Sequence, residues 1–112
     1  MAFLSDFSAE MLDANIRSAG LDGLFEDHLS TDRVRAFKPD PRTYLMGIES
    51  FKLKREEIVF AAFGGWDSVG AKRFGYPTFW CNRLKLPAEE LGVVPDRIGS
   101  STVELAAFVQ TL

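Results

Sequence analysis

The residues able to do chemistry in this chain are few, and they sit near turns. In RAFKPDPRTYL (residues 35–45) a single lysine, Lys38, stands between Phe37 and a Pro-Asp-Pro turn, ahead of an apolar helical pattern. An ammonium held there has two readings: a solvated side chain in a turn, or a cation aimed at an anion. Asp67 follows an apolar run, two glycines and a tryptophan in IVFAAFGGWD. Glycine lets backbone approach a ligand closely, and a carboxylate at a strand end orients a cation or a water. The competing reading is an aspartate that satisfies free N–H groups in the first turn of a helix. Paired with Lys38, such a carboxylate would have a lowered pKa, and the lysine would steady anionic intermediates. Ser5 and Ser8 follow the first apolar run and are hydrogen-bond donors to an anion, with Ser8 serving equally as a helix cap. His28 has no partner triad and lies beside an apolar stretch, the signature of a surface or packed histidine. Arg33, Arg35, Arg42 and Arg83 are candidates for carboxylate or phosphate contact, of a kind that small domains expose anyway. No Walker loop, G-x-S-x-G, H-E-x-x-H or paired metal-ligand motif is present.

These side chains need elements to position them. MAFLSD is a short apolar run ending in turn formers, which predicts a buried strand. Ser8 caps a helix in which Met11, Leu12, Ile16 and Ala19 recur at helical spacing, with Gly20 as its stop. A second strand is expected around His28–Ser30, and a second helix carries Tyr44, Leu45, Ile48 and Phe51. EEIVFAAF is the clearest strand, GWDSVGAKRFG a short helix closed by Gly75, and YPTFWCN a further strand. TVELAAFVQTL predicts a C-terminal helix with Thr102 as cap and Glu104 in its first turn. Alternating strands and helices imply an α/β fold, a Rossmann-like parallel sheet with helices on both faces. Ligand sites in such sheets form at the strand C-terminal ends. Here those loops are Ser5–Ser8, Ser30–Arg33, Phe63–Asp67 and Asn82–Leu84.

Bulk properties narrow the class. A chain of 112 residues holds at most one domain, and a 46% hydrophobic fraction predicts a packed core. A net charge of −3 with mixed signs offers no footprint for nucleic acid. The lone Cys81 excludes an internal disulfide and, within TFWCN, reads as a small buried hydrophobe. No apolar run approaches the roughly 18 residues of a membrane span. MAFLSDFS lacks the features of a signal peptide, so a cytoplasmic setting is expected.

Taken in order, four segments resemble the C-terminal half of the haloacid dehalogenase superfamily, specifically the type II (S)-2-haloacid dehalogenases. They are FLSDFSAEMLDANIRSAGL, FEDHLSTDRVRAFKPDPRTY, EEIVFAAFGGWDSVGAKRFGYPTFWCNR and LPAEELGVVPD. The resemblance implies a hydrolase in which an aspartate on the first family strand attacks a small 2-haloacid, displaces halide and forms an ester that water hydrolyses. By matching position, Ser5 is the motif serine, Lys38 the lysine beside the nucleophile, and Asp67 the acid that positions the hydrolytic water and the lysine. Tyr44, Asp6 and Gly64 fall on the substrate side. No metal and no cofactor are implied.

Departures from the family pattern are specific. Asp6 stands where many members have asparagine, and Ala62 and Gly64 where well-known dehalogenases have serine and asparagine. The D-x-x-x-T/V nucleophile loop and most of the helical cap would precede residue 1, leaving residues 1–112 as a single partial core domain. The family's central strand lies between the strands MAFLSD and IVFAAF, so its absence exposes two apolar edges. A homodimer or a complementing N-terminal segment is therefore an expected partner. The rivals are a phosphatase of the same superfamily, which usually presents two acidic residues to Mg²⁺ where this chain has Gly64 and Gly65; a receiver-like signalling domain, for which the lysine comes too early; and a non-catalytic remnant or interaction module.

Overall fold

Residues 2–5 extend as strand β1 (Ala2–Ser5) and residues 27–30 as β2 (Asp27–Ser30), joined through helix α1 (Ala9–Ser18). The computed structural model describes residues 1–88 and 91–112, and they divide into two units, Met1–Phe51 and Lys52–Leu112. In the first unit β1 and β2 run parallel, with Phe3 opposite His28 and Ser5 opposite Ser30. Helix α1 begins where expected, because the Ser8 hydroxyl accepts the Met11 N–H at 3.3 Å. Leu12 and Ile16, one helical turn apart, are its buried face. A 3₁₀ turn over Thr31–Val34 follows β2, and helix α2 (Pro41–Phe51) starts directly after Asp40. Proline at the first helical position loses no hydrogen bond, since that N–H has no acceptor within the helix. Thr43, Tyr44 and Met46 are the buried residues of α2.

The second unit is built on strands β3 (Phe60–Ala62), β4 (Thr78–Cys81) and β5 (Arg97–Gly99), all parallel in the order β3-β4-β5. Every residue of β4 is buried, as befits a central strand. Helix α3 (Gly65–Phe74) links β3 to β4 and ends on Gly75 at φ 116°, a left-handed conformation suited to glycine. Helix α4 (Thr102–Gln110) closes the chain. Among the described residues, no helix is long and apolar enough to cross a membrane.

Three expectations need correction. The strand expected over EEIVFAAF is shorter, since Arg55–Glu57 is a 3₁₀ turn and the ladder starts where the Phe60 N–H donates to Pro77 O at 2.9 Å. Ser101, not Thr102, caps α4. Its backbone is extended and its hydroxyl accepts the Glu104 N–H at 3.3 Å, while Thr102 is already helical. Strand β5 was not anticipated, because three residues with the half-exposed Ile98 as their one apolar side chain carry no periodic signal. The segment LPAEELGVVPD just before it includes residues 89 and 90, which lie outside the described residues.

Asp96 fastens β5 to β4. Its backbone N–H donates to Thr78 O at 2.9 Å, and its carboxylate accepts the Thr78 N–H at 2.7 Å and Lys72 Nζ at 2.8 Å. Burial pushes the Asp96 carboxyl up, but the hydrogen bonds from Lys72 and Thr78 and the Lys72 charge override it and hold the pKa below its ordinary value. A carboxyl more acidic in the fold contributes fully above its unfolded pKa of about 4, and that contribution is lost as pH falls through the folded value. Asp96→Asn is expected to flatten the fall in stability of this unit between about pH 5 and pH 3. Asp96→Ala is expected to cost about 1–3 kcal/mol at neutral pH by leaving the buried Thr78 N–H without its acceptor. Urea melts across that range check both, and an unchanged acid limb in D96N would sink the assignment.

Candidate functional site

In the first unit the candidate residues collect at the C-terminal ends of β1 and β2. Ser5 ends β1, and its hydroxyl accepts the Phe7 N–H at 3.1 Å, which tightens the turn into α1. Asp6 follows, and its Oδ1 accepts both the Thr31 hydroxyl at 3.2 Å and the Lys38 backbone N–H at 3.0 Å. The Lys38 ammonium donates to Leu4 O at 3.3 Å. The cation therefore sits against the backbone of β1 one residue before its C-terminal end. Tyr44, wholly buried at 0% exposure, lies in the second turn of α2.

The second unit carries Gly64 and Asp67. Gly64 precedes α3 as its N-cap, without a side chain to cap it, and Asp67 lies in the first turn with only 6% of its surface exposed. The helix-start reading of Asp67 thus describes its location, and its burial sets it apart from a surface capping aspartate. A Cβ at position 64 would stand 3.0 Å from the Trp66 Nε1, so any side chain there requires the half-exposed indole to shift.

Several weighed residues are engaged structurally. Ser8 is the α1 cap. Arg42 forms a two-pronged pair with Asp40, its Nε and a terminal nitrogen donating at 3.1 and 2.9 Å. The hydrogen bonds from Arg42 and its charge hold the Asp40 carboxyl below the usual range. Arg33 donates to His28 O at 3.3 Å, and Arg83 lies 5.6 Å from the Phe63 ring centre. His28, read as a surface or packed histidine outside any triad, pairs through Nδ1 with Asp13 at 3.1 Å. Cys81 is buried, as its surroundings implied.

Residue-level reading missed Ser30 and Thr31, both buried at the end of β2. The Ser30 hydroxyl donates to Phe7 O at 2.6 Å, and Thr31 reaches Asp6. The signal was a pair of small hydroxyl residues directly after an apolar strand, the place where the loop itself had been marked.

Parallel strands joined through helices, with polar residues gathered near strand C-terminal ends in each unit, make this a chain of the α/β class. No protein-family model matches the chain, but individual proteins do. It is 42% identical over 96 residues to haloacetate dehalogenase H-2 of Moraxella sp. (strain B), and 41% identical over 96 residues to the (S)-2-haloacid dehalogenase of Pseudomonas sp. (strain YL). Each alignment takes in 86% of this chain, but 43% and 41% of those relatives. The crystal structure of an L-2-haloacid dehalogenase superposes with a TM-score of 0.95 at 39% identity, over 97% of this chain and 48% of the other. The chain belongs to the (S)-2-haloacid dehalogenase family, and it spans less than half the length of these relatives.

Proposed function

We propose that this chain is the part of a hydrolytic 2-haloacid dehalogenase that carries the site lysine but not the nucleophilic carboxylate, and that it is catalytically silent alone. The observation that carries the reading is the Lys38 ammonium on Leu4 O, near the C-terminal end of β1. A cation held there lowers the pKa of a carboxylate delivered alongside β1 and keeps it ionised for attack. The substrate class, a small 2-haloacid or related anion, follows from the names of the two relatives. In the complete enzyme one oxygen of that carboxylate bonds to the halogen-bearing carbon, and halide leaves with the electron pair of the broken bond. Water then adds at the ester carbonyl, returning the carboxylate and releasing a 2-hydroxy acid and a proton. Asp67 is assigned to positioning the hydrolytic water and the lysine, Ser5 to the catalytic set, and Tyr44, Asp6 and Gly64 to the substrate side. The glycines at 64 and 65 favour this metal-independent branch over a phosphatase.

The two units are assigned to one partial core domain in a cytoplasmic protein. The missing carboxylate comes from a complementing N-terminal segment or from a second chain. β1 and β3 support this, since each has a single hydrogen-bonded neighbour among the described strands. Purified alone and offered 2-chloropropionate, the chain is expected to release no chloride above the rate of a Lys38→Ala control. Chloride release by the unmodified chain that disappears in K38A would overturn the silent part of the proposal.

A further inference from the structure

We infer that Asp6 is a positioning residue for Lys38, acting through one oxygen of its carboxylate. Residues 35–39 form neither helix nor strand, and Arg35, Phe37 and Pro39 within them are exposed, Phe37 by 66%. Little apolar burial anchors the stretch that carries the lysine, so polar contacts set its place. Lys38 is tied to β1 and its loop at both ends, by its N–H on Asp6 Oδ1 at 3.0 Å and by its ammonium on Leu4 O at 3.3 Å. The same Oδ1 takes the hydroxyl of the fully buried Thr31 at 3.2 Å. One oxygen thus joins three segments far apart in sequence: the loop after β1, the start of the turn after β2, and the lysine turn. A second brace, Ser30 Oγ on Phe7 O, joins the first two of these segments independently of Asp6.

This differs from the role implied by family position, in which Asp6 faces substrate and matters through its charge. The clamp needs an acceptor oxygen, which asparagine also supplies, although an N–H bond to a carboxylate is the stronger of the two. That Lys38 is a catalytic cation rests on the proposed function, but the clamp itself does not.

Residue-resolved amide exchange on the full chain tests it. In Asp6→Ala the Lys38 amide is expected to exchange about tenfold faster or more than in the unmodified protein, the loss of one hydrogen bond to a charged group. Amides within β2 and α1 should keep their rates. Asp6→Asn is expected to restore most of the Lys38 protection, and Thr31→Val to leave it in place by removing only the competing donor. Equal protection in D6A and the unmodified chain overturns the clamp, as does an unprotected Lys38 amide in the unmodified chain. Should D6A lose protection throughout its unit, D6N decides: retained Lys38 protection supports the clamp, and its loss overturns it. Failure of the dehalogenase reading looks different, with no halide released by a completed enzyme while the Lys38 amide remains protected.

Discussion

Replacing Phe79 by alanine is expected to unfold the Lys52–Leu112 unit at room temperature. Phe79 lies in the central strand β4 with none of its surface exposed, and its ring centre is 5.7 Å from that of Phe108 on α4. Cys81, two residues on and therefore on the same face, joins this cluster, and Val59 and Leu105 pack against it. The space cannot close readily around a smaller side chain. Gly99 of β5 already lies so near that a Cβ there would come within 2.6 Å of the Phe79 ring, so the aromatic fills the gap between strand and helix. Loss of a buried phenylalanine typically costs about 3–5 kcal/mol through lost transfer energy and the cavity left behind. Small domains have only about 5–15 kcal/mol in total, and a unit of this size falls at the low end. Emission from the buried Trp80 during urea titration reports the outcome. A cooperative transition in F79A with a stability within about 1 kcal/mol of the unmodified chain would show that this cluster does not hold the unit.

Features set by local chemistry were legible from the residues. Ser8 caps α1 because a hydroxyl near free N–H groups needs no distant partner, and Gly75 ends α3 because few other residues tolerate its φ. The alternation of apolar runs and helical spacing sufficed for parallel strands. What was not legible depended on contacts between distant segments. IVFAAF shows one continuous apolar run, yet only its latter part pairs, because the Arg55–Glu57 turn governs where the ladder with β4 begins. β5 is held by its ladder with β4 and by the reciprocal bonds of Asp96 and Thr78 just before it, and no sequence pattern of its own announces it. Within the candidate site, the kinds of residue could be picked out, but Asp6 looked like a charge near substrate because its partners lie 25 and 32 residues away. A lysine beside a turn can be seen in a sequence; what holds its backbone cannot.

Supplying the carboxylate that the proposed function assigns to a complementing segment is expected to change activity by the largest factor of all. Eliminating a catalytic nucleophile has cost on the order of a million-fold where it has been measured, so completing the proposed site with one should move chloride release from background to a readily measured rate. The natural donor is the portion of the Moraxella relative that this chain does not match, co-expressed with the chain as a separate polypeptide. A strand donated by it would pair along the edge of β1 away from β2, where β1 has no neighbour among the described strands, and the proposed carboxylate would come from that strand. Strand edges with unpaired backbone groups favour such additions. Sedimentation distinguishes the outcomes before any assay. A complex that forms and releases chloride from 2-chloropropionate, but not when the donated aspartate is replaced by asparagine, supports both the complement and the chemistry. Within that complex Lys38→Ala is expected to reduce the rate by about 10²–10³, the scale seen when one stabilising group is removed. A complex that forms yet stays silent would sink the hydrolase reading, and Asp6→Asn together with Gly64→Asn then tests whether those two departures from the family are the cause. If the chain alone is instead a monodisperse monomer with a high melting temperature that ignores the donor, its strand edges are not waiting for a partner, and the complementation proposal fails on physical grounds before the chemistry is reached.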